Sequence, residues 1–242
     1  MKRTLVIGDI HGGYNALLQV LERAKVTPKD TLIFLGDYVD GWSQSAETIQ
    51  HLIGLSEINE CQFVLGNHDL WCRRWLTLGA SNPVWEENGG KATKESYLKT
   101  SLLTNESHKL FFENLKDYYL DDKNRLFIHA GYTSIHGVEK EEYESNYYFD
   151  RTLWEMALVM DERVKKDSVL FPKRLKHYSE IFLGHTPTTN YEKETPMNAI
   201  NVWNIDTGAA FTGKLTIFDV DSKEFWQSDY LTELYPNERG RN

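Results

Sequence analysis

The chain has 242 residues, 40% of them hydrophobic, enough to bury one sizeable core in a single domain. Its 27 basic against 36 acidic residues leave a formal net charge of −9, which disfavours nucleic acid and anionic membrane surfaces as partners. Two cysteines, Cys61 and Cys72, fit reduced thiols better than a disulfide framework, and no apolar run approaches membrane-spanning length. Met-Lys-Arg-Thr runs straight into the first apolar segment, so the expectation is a cytoplasmic protein with reduced thiols and no signal peptide.

In chain order, residues 4–7, 31–35, 62–65, 126–128 and 181–183 are short β-branched and aromatic runs, suited to strands covered on both faces. Glycine follows directly in four of the five, which permits a tight turn and close backbone approach. Between the first two runs, residues 14–25 carry Leu17, Leu18, Leu21 and Ala24 at helical spacing. After the second, Ser45 is placed to cap a helix displaying Ile49, Leu52 and Ile53. Strand, turn and helix in succession predict parallel βαβ units, whose functional groups gather at the carboxyl ends of the strands. Residues 70–125 break this rhythm. They are rich in tryptophan, with helices expected over 94–103 and 107–115, and read as a cap inserted over the strand ends. A second insert at 139–178 begins acidic and turns basic and mostly helical from Arg151. Strands over 199–205, 214–220 and 224–228 close the chain, giving two β-rich halves between helical layers.

Five polar fragments stand at these strand ends: Gly8-Asp9-Ile10-His11-Gly12, Gly36-Asp37-Tyr38-Val39-Asp40, Gly66-Asn67-His68-Asp69, His129-Ala130-Gly131 and Gly184-His185-Thr186. Asp9 and His11 can reach one metal ion, Asp37 can bridge it to a second, and Asn67, His129 and His185 can complete the second site. Three histidines among six ligands argue against Mg²⁺ or Ca²⁺ and for two transition-metal ions: Mn, Fe or Zn. Two such ions roughly 3.5–4 Å apart activate a bridging water and clamp phosphate oxygens for in-line displacement. His68, beside Asn67, is the candidate general acid, with Asp40 as the carboxylate that orients it. Asp69 is assigned a hydrogen-bonding role. His51, His108 and His177 read as solvated or helix-face residues and His136 as structural. The cap tryptophans suit either packing or the stacking of a substrate.

The five ordered fragments closely resemble the blocks of the calcineurin-like metallophosphoesterase superfamily: GDxH, GDxxD, GNH[DE], H and GH. The segment Asn204-Ile205-Asp206-Thr207-Gly208, followed by Gly213-Lys214-Leu215-Thr216, is similar to closing strands of its phosphoprotein-phosphatase branch and related bacterial enzymes. The resemblance implies a four-layer αββα sandwich of two mixed sheets flanked by helices, a helical cap insertion, and a dinuclear hydrolase with the ligand roles above. Pro187, where many members carry a second histidine, narrows the likeness to phosphoprotein phosphatases and symmetrical dinucleoside tetraphosphatases. The protein phosphatases carry phosphate-gripping arginines where this chain has Gly41 and Leu65. Replacement cations are sought in Arg73 and Arg74, or in Arg151, Arg163 and Arg174.

The leading expectation is a serine/threonine-protein-phosphatase-like phosphomonoesterase acting on a phosphorylated substrate. The alternatives are a dinucleoside tetraphosphatase or nucleotide phosphohydrolase and, in another class, a non-catalytic protein-binding scaffold. The oligomeric state is not legible in the sequence.

Overall fold

The computed structural model describes residues 2–241. β1 (Thr4–Ile7), α1 (Tyr14–Arg23), β2 (Thr31–Phe34), α2 (Ser45–Ser56) and β3 (Glu60–Phe63) form two parallel βαβ units. α3 (Asn67–Leu78) follows. The second sheet takes β4 (Tyr118–Leu120), β5 (Arg125–Ile128), β6 (Glu180–Leu183), β7 (Met197–Ala199) and β8 (Val202–Asn204). β9 (Thr216–Asp219) and β10 (Phe225–Gln227) then return to the first. Strand orders are β10-β9-β1-β2-β3 and β4-β5-β6-β8-β7; the first sheet is parallel over β1-β2-β3 and antiparallel over β10-β9-β1, and the second has a parallel centre and two antiparallel edges.

The apolar runs have this length and composition because both faces of the central strands are covered. Leu5, Ile7, Leu32 and Phe34 pack in one cluster with Ala16, Leu17 and Val20 of α1 and Ile49 and Leu52 of α2. Val6, Ile33 and Phe218 of the first sheet meet Phe127 and Phe182 of the second in a separate cluster. Phe127 and Phe182 stack with centroids 5.0 Å apart. Each such buried side chain contributes roughly 1.5–3 kcal/mol, and a one-residue slip of β1 would exchange its two faces.

Several local expectations change. Ser45 does not cap α2: it is the first helical residue, buried, with its Oγ 2.9 Å from Thr93 Oγ1. The run 199–205 is a hairpin of β7 and β8, because Ile200 turns in the left-handed region (φ 58). Between Arg151 and Tyr178 only Thr152–Val159 and Lys173–Lys176 are helical. There the side chains of Asp161 and Ser168 bond backbone amides two residues on, an alternative to helix, and Pro172 stops any continuation. The cap helices are Lys91–Thr100 and Glu106–Glu113. His108 is fully buried, not solvated, with its imidazole between Tyr97 and Gln50.

Candidate metal centre

The turns after β1, β2 and β6 place His11, Asp37, Asp40 and His185 in left-handed backbone, at φ 52, 51, 72 and 66. Each costs a non-glycine residue roughly 1–2 kcal/mol, strain of the kind that concentrates at functional sites. The turns after β1 and β2 hold each other: the amides of Ile10 and His11 both donate to the Asp37 carbonyl, and that of Gly12 to the Tyr38 carbonyl. Asp69, in the first turn of α3, accepts from the amides of Asp37, Tyr38 and Gly66. The hydrogen-bonding assignment of Asp69 matches these contacts. Gly66 and Gly184 have no room for a side chain. An added Cβ would stand 2.1 Å from an oxygen of Asp37 and of Asp9 respectively.

Donor atoms of His11, Asp37 and His68 lie within 4.8 Å of one another, as do those of Asp37, His129 and His185, so Asp37 belongs to both clusters. Asp9 Oδ2 is 3.9 Å from His11 Nε2, and Asn67 Oδ1 is 3.2 Å from His129 Nε2. All six expected ligands therefore meet. The tautomers are set from behind: His11 Nδ1 donates to the Asp40 carbonyl and His129 Nδ1 to the Leu35 carbonyl, leaving each Nε2 lone pair toward Asp37. Asp9 Oδ1, His68 Nε2 and His185 Nε2 are buried without any protein partner.

Burial raises Asp9 well above the usual carboxylate range, with Asp206 and Asp37 adding to the effect. Asp206 itself is pushed up to about 6, chiefly by burial. At Asp37 burial is outweighed by His129, His68 and His11, which hold it well below the usual range. His129 rises to about 10 despite its burial, because Asp37 and Asp9 face it. His11 is held down to about 3 by burial. Three buried carboxylates call for positive charge here, which a metal ion held by these residues would supply with the imidazoles neutral. Orphaned donors and a mixed nitrogen and oxygen set fit transition-metal ions.

The sequence pattern of the calcineurin-like phosphoesterases matches residues 2–211. The chain belongs to that family. It is a metallophosphoesterase, a metal-dependent hydrolase, and its two buried His/Asp clusters are consistent with the metal site such an enzyme needs. Among curated relatives, the asymmetrical bis(5'-nucleosyl)-tetraphosphatase PrpE of Oceanobacillus iheyensis is 28% identical over 91% of this chain and 89% of its own length. A symmetrical bis(5'-nucleosyl)-tetraphosphatase of Pseudomonas entomophila is 23% identical over 99% and 98%. A solved serine/threonine phosphatase from Saccharomyces cerevisiae shares the fold: TM-score 0.62, 16% identity, 94% of this chain and 80% of that one.

Beside the six expected ligands, His68 Nδ1 stands 2.7 Å from Asp40 Oδ2. Asp40 also accepts from Trp85 Nε1 at 2.6 Å and Thr93 Oγ1 at 2.7 Å, both from the 70–125 segment. Burial pushes His68 down to about 3 and Asp40 well above the carboxylate range, and the donors on Asp40 oppose its rise. Trp85 is fully buried against Trp75, and Trp71 lies edge-on to His68, so all three tryptophans pack within the protein.

A cavity of about 130 Å³ opens on the centre, walled by Asp9, His11, His185 and Asp206 with Arg151, Phe211 and Arg241. Arg73 and Arg74 are not among its walls, and Arg74 is exposed on α3. Arg163 is paired with Asp161, and Arg174 bonds the Tyr132 carbonyl and Thr152 hydroxyl. Asp206 had a signal in the sequence, since it follows an apolar run as the other fragments do. Trp85, Thr93 and Arg241 had none, standing 45, 53 and 201 residues from Asp40 along the chain.

Proposed function

We propose that the chain hydrolyses a phosphoanhydride of a nucleoside polyphosphate, of the bis(5'-nucleosyl) tetraphosphate kind. The observation that carries this reading is its likeness, over nearly the whole chain, to relatives that are themselves tetraphosphatases. The protein-phosphatase reading of the motifs gives way to it: that likeness is one of fold, and Gly41 and Leu65 leave the phosphate grip of those enzymes unfilled. An aromatic side chain beside the centre that offers surface to a base is Phe149, 42% exposed and edge-on to His185.

In this reading Asp9, His11, Asp37, Asn67, His129 and His185 hold the metal ions. A metal pair bound there supplies Lewis acidity that activates water and neutralises phosphate charge. Water adds in line to phosphorus as the bond to the leaving oxygen breaks. His68 presents Nε2 to that oxygen as proton donor, and Asp40 fixes the ring through Nδ1. Trp85 and Thr93 hydrogen-bond the Asp40 carboxylate, which favours its charged form and so opposes the burial that would otherwise hold the proton on Asp40 instead of His68.

The deciding assay is Mn²⁺-supported hydrolysis of diadenosine tetraphosphate beside a phosphothreonine peptide, with Asp37→Asn as blank. Faster turnover of the dinucleotide is expected. Preference for the peptide would return the chain to protein phosphatases, and inactivity on both with no bound metal would favour a scaffold.

A further inference from the structure

Residues 235–241 lie over the turn that follows Asp40. Tyr235 stacks on Trp42 with centroids 5.1 Å apart, and Glu238 accepts from the amide and hydroxyl of Ser43. Gly240, at φ 66, presses against Trp42 and the Ala210 carbonyl so closely that a Cβ would stand 2.7 Å from each. Arg241 then donates its amide to the same carbonyl at 2.8 Å. Four successive anchors on two short segments fix where its side chain goes. It enters the wall of the metal-centre cavity, lying over the Phe211 ring with Cζ 5.6 Å from the centroid. There its Nε is buried with no partner among the described residues, and the one side-chain hydrogen bond it makes with them is a long one, 3.4 Å, to Asn88 Oδ1.

A guanidinium has five donors in a fork that matches phosphate oxygens, and this one leaves most of them unspent beside Asp9, His11 and Asp206. Gly41 is what admits it. The backbone there sits at φ 129, and a Cβ built on Gly41 would lie 3.6 Å from the Arg241 amide and 3.2 Å from the His11 carbonyl. A long side chain at position 41 would occupy the space the strap takes.

We propose that Arg241 is a substrate-binding residue: carried in by the 235–241 strap, it grips a non-bridging phosphate oxygen in the cavity that Arg151 also lines, and Gly41 is the opening through which it reaches the site. This rests on reading the centre as phosphate-hydrolysing, and it goes beyond that reading in naming which residue holds the substrate anion.

The test pairs Arg241→Ala and Arg241→Lys with the unaltered protein, all loaded with Mn²⁺. Inorganic phosphate binding is measured by calorimetry, and p-nitrophenyl phosphate and diadenosine tetraphosphate serve as substrates. Arg241→Ala should keep its metal content and weaken phosphate roughly 10- to 100-fold, the scale of losing a charge-assisted bidentate contact. KM should rise more than kcat falls, and added guanidinium should restore part of the activity. Arg241→Lys should lie between the two. Unchanged phosphate affinity in either variant would overturn the proposal, as would a weakening that only follows lost metal or lost folding in Arg241→Ala while Arg241→Lys binds phosphate normally. A protein that cleaves p-nitrophenyl phosphate but ignores the dinucleotide would sink the tetraphosphatase reading, while its phosphate affinity would still decide Arg241.

Discussion

In the turns of the first sheet, site residues hold one another: His11 Nδ1 donates to the Asp40 carbonyl, the Asp37 amide to Asp69, and the His68 amide to Asp37 Oδ1. In the second sheet the imidazoles are oriented from across the sandwich. His129 Nδ1 donates to Leu35 at the end of β2, and the His185 amide donates to Asp9 Oδ2. The first sheet is thus a self-supporting frame, and the second supplies groups fitted onto it. Damage should accordingly be asymmetric, spreading from the first sheet to both clusters but staying local in the second.

The largest effect should come from Asp37, the one donor common to both clusters. Asp37→Asn should bind well under two ions per chain and lose at least ~100-fold in activity, since even outer-shell changes at metal sites cost 10–100-fold. His185→Asn should keep about one ion. Metal analysis of the purified variants checks both, and two ions retained in Asp37→Asn would end the bridging role.

His68 sharpens the comparison, because it acts from the frame without being needed to hold the second sheet's imidazoles. With phenyl phosphate, whose leaving group needs a proton, His68→Asn should lower kcat by roughly 10²–10⁴. With p-nitrophenyl phosphate the loss should be about tenfold or less. Equal losses on the two esters would reject His68 as the proton donor.

The meeting of the candidate ligands is legible because each fragment is local: a few residues at the end of an apolar run, and strand ends of parallel units converge whatever the intervening chain does. The sheets were legible for the same reason, since Val6 and Ile33 alternate with Leu5 and Leu32 between two buried faces. What escaped depends on contacts between distant segments or on side chains bonding their own nearby backbone. Trp85 looks like any cap aromatic until its Nε1 is seen on Asp40. The helical reading of 151–178 failed because composition does not reveal that Asp161 and Ser168 fold back on their own backbone. His108 was misjudged on base rates, which cannot foresee the Tyr97–Gln50 pair that satisfies it.

The smallest predicted effect concerns a second-sheet loop that does not depend on the frame at all. Glu141 accepts hydrogen bonds from the amides of Thr133, Ser134 and Tyr143 and from the Asn146 side chain, tying together the segment that follows His129. Burial raises its carboxyl, but these donors outweigh it and hold Glu141 at about 2, below its ordinary 4.5. The folded protein therefore binds fewer protons here than the unfolded chain between those values. The contribution is complete above the unfolded pKa and is lost as pH falls through the folded one. Glu141→Gln should lower the melting temperature near pH 7 by about 2–4 °C, the shift that roughly 1 kcal/mol gives a chain of this size. The gap between variant and parent should narrow as the pH falls from 4.5 toward 2. Melting curves across that range read it directly, and a gap that stays constant would mean that neutral Glu141 holds the loop as well as the carboxylate does. Metal content should be unchanged throughout the series at pH 7, since no first-sheet group contacts this carboxylate among the hydrogen bonds described.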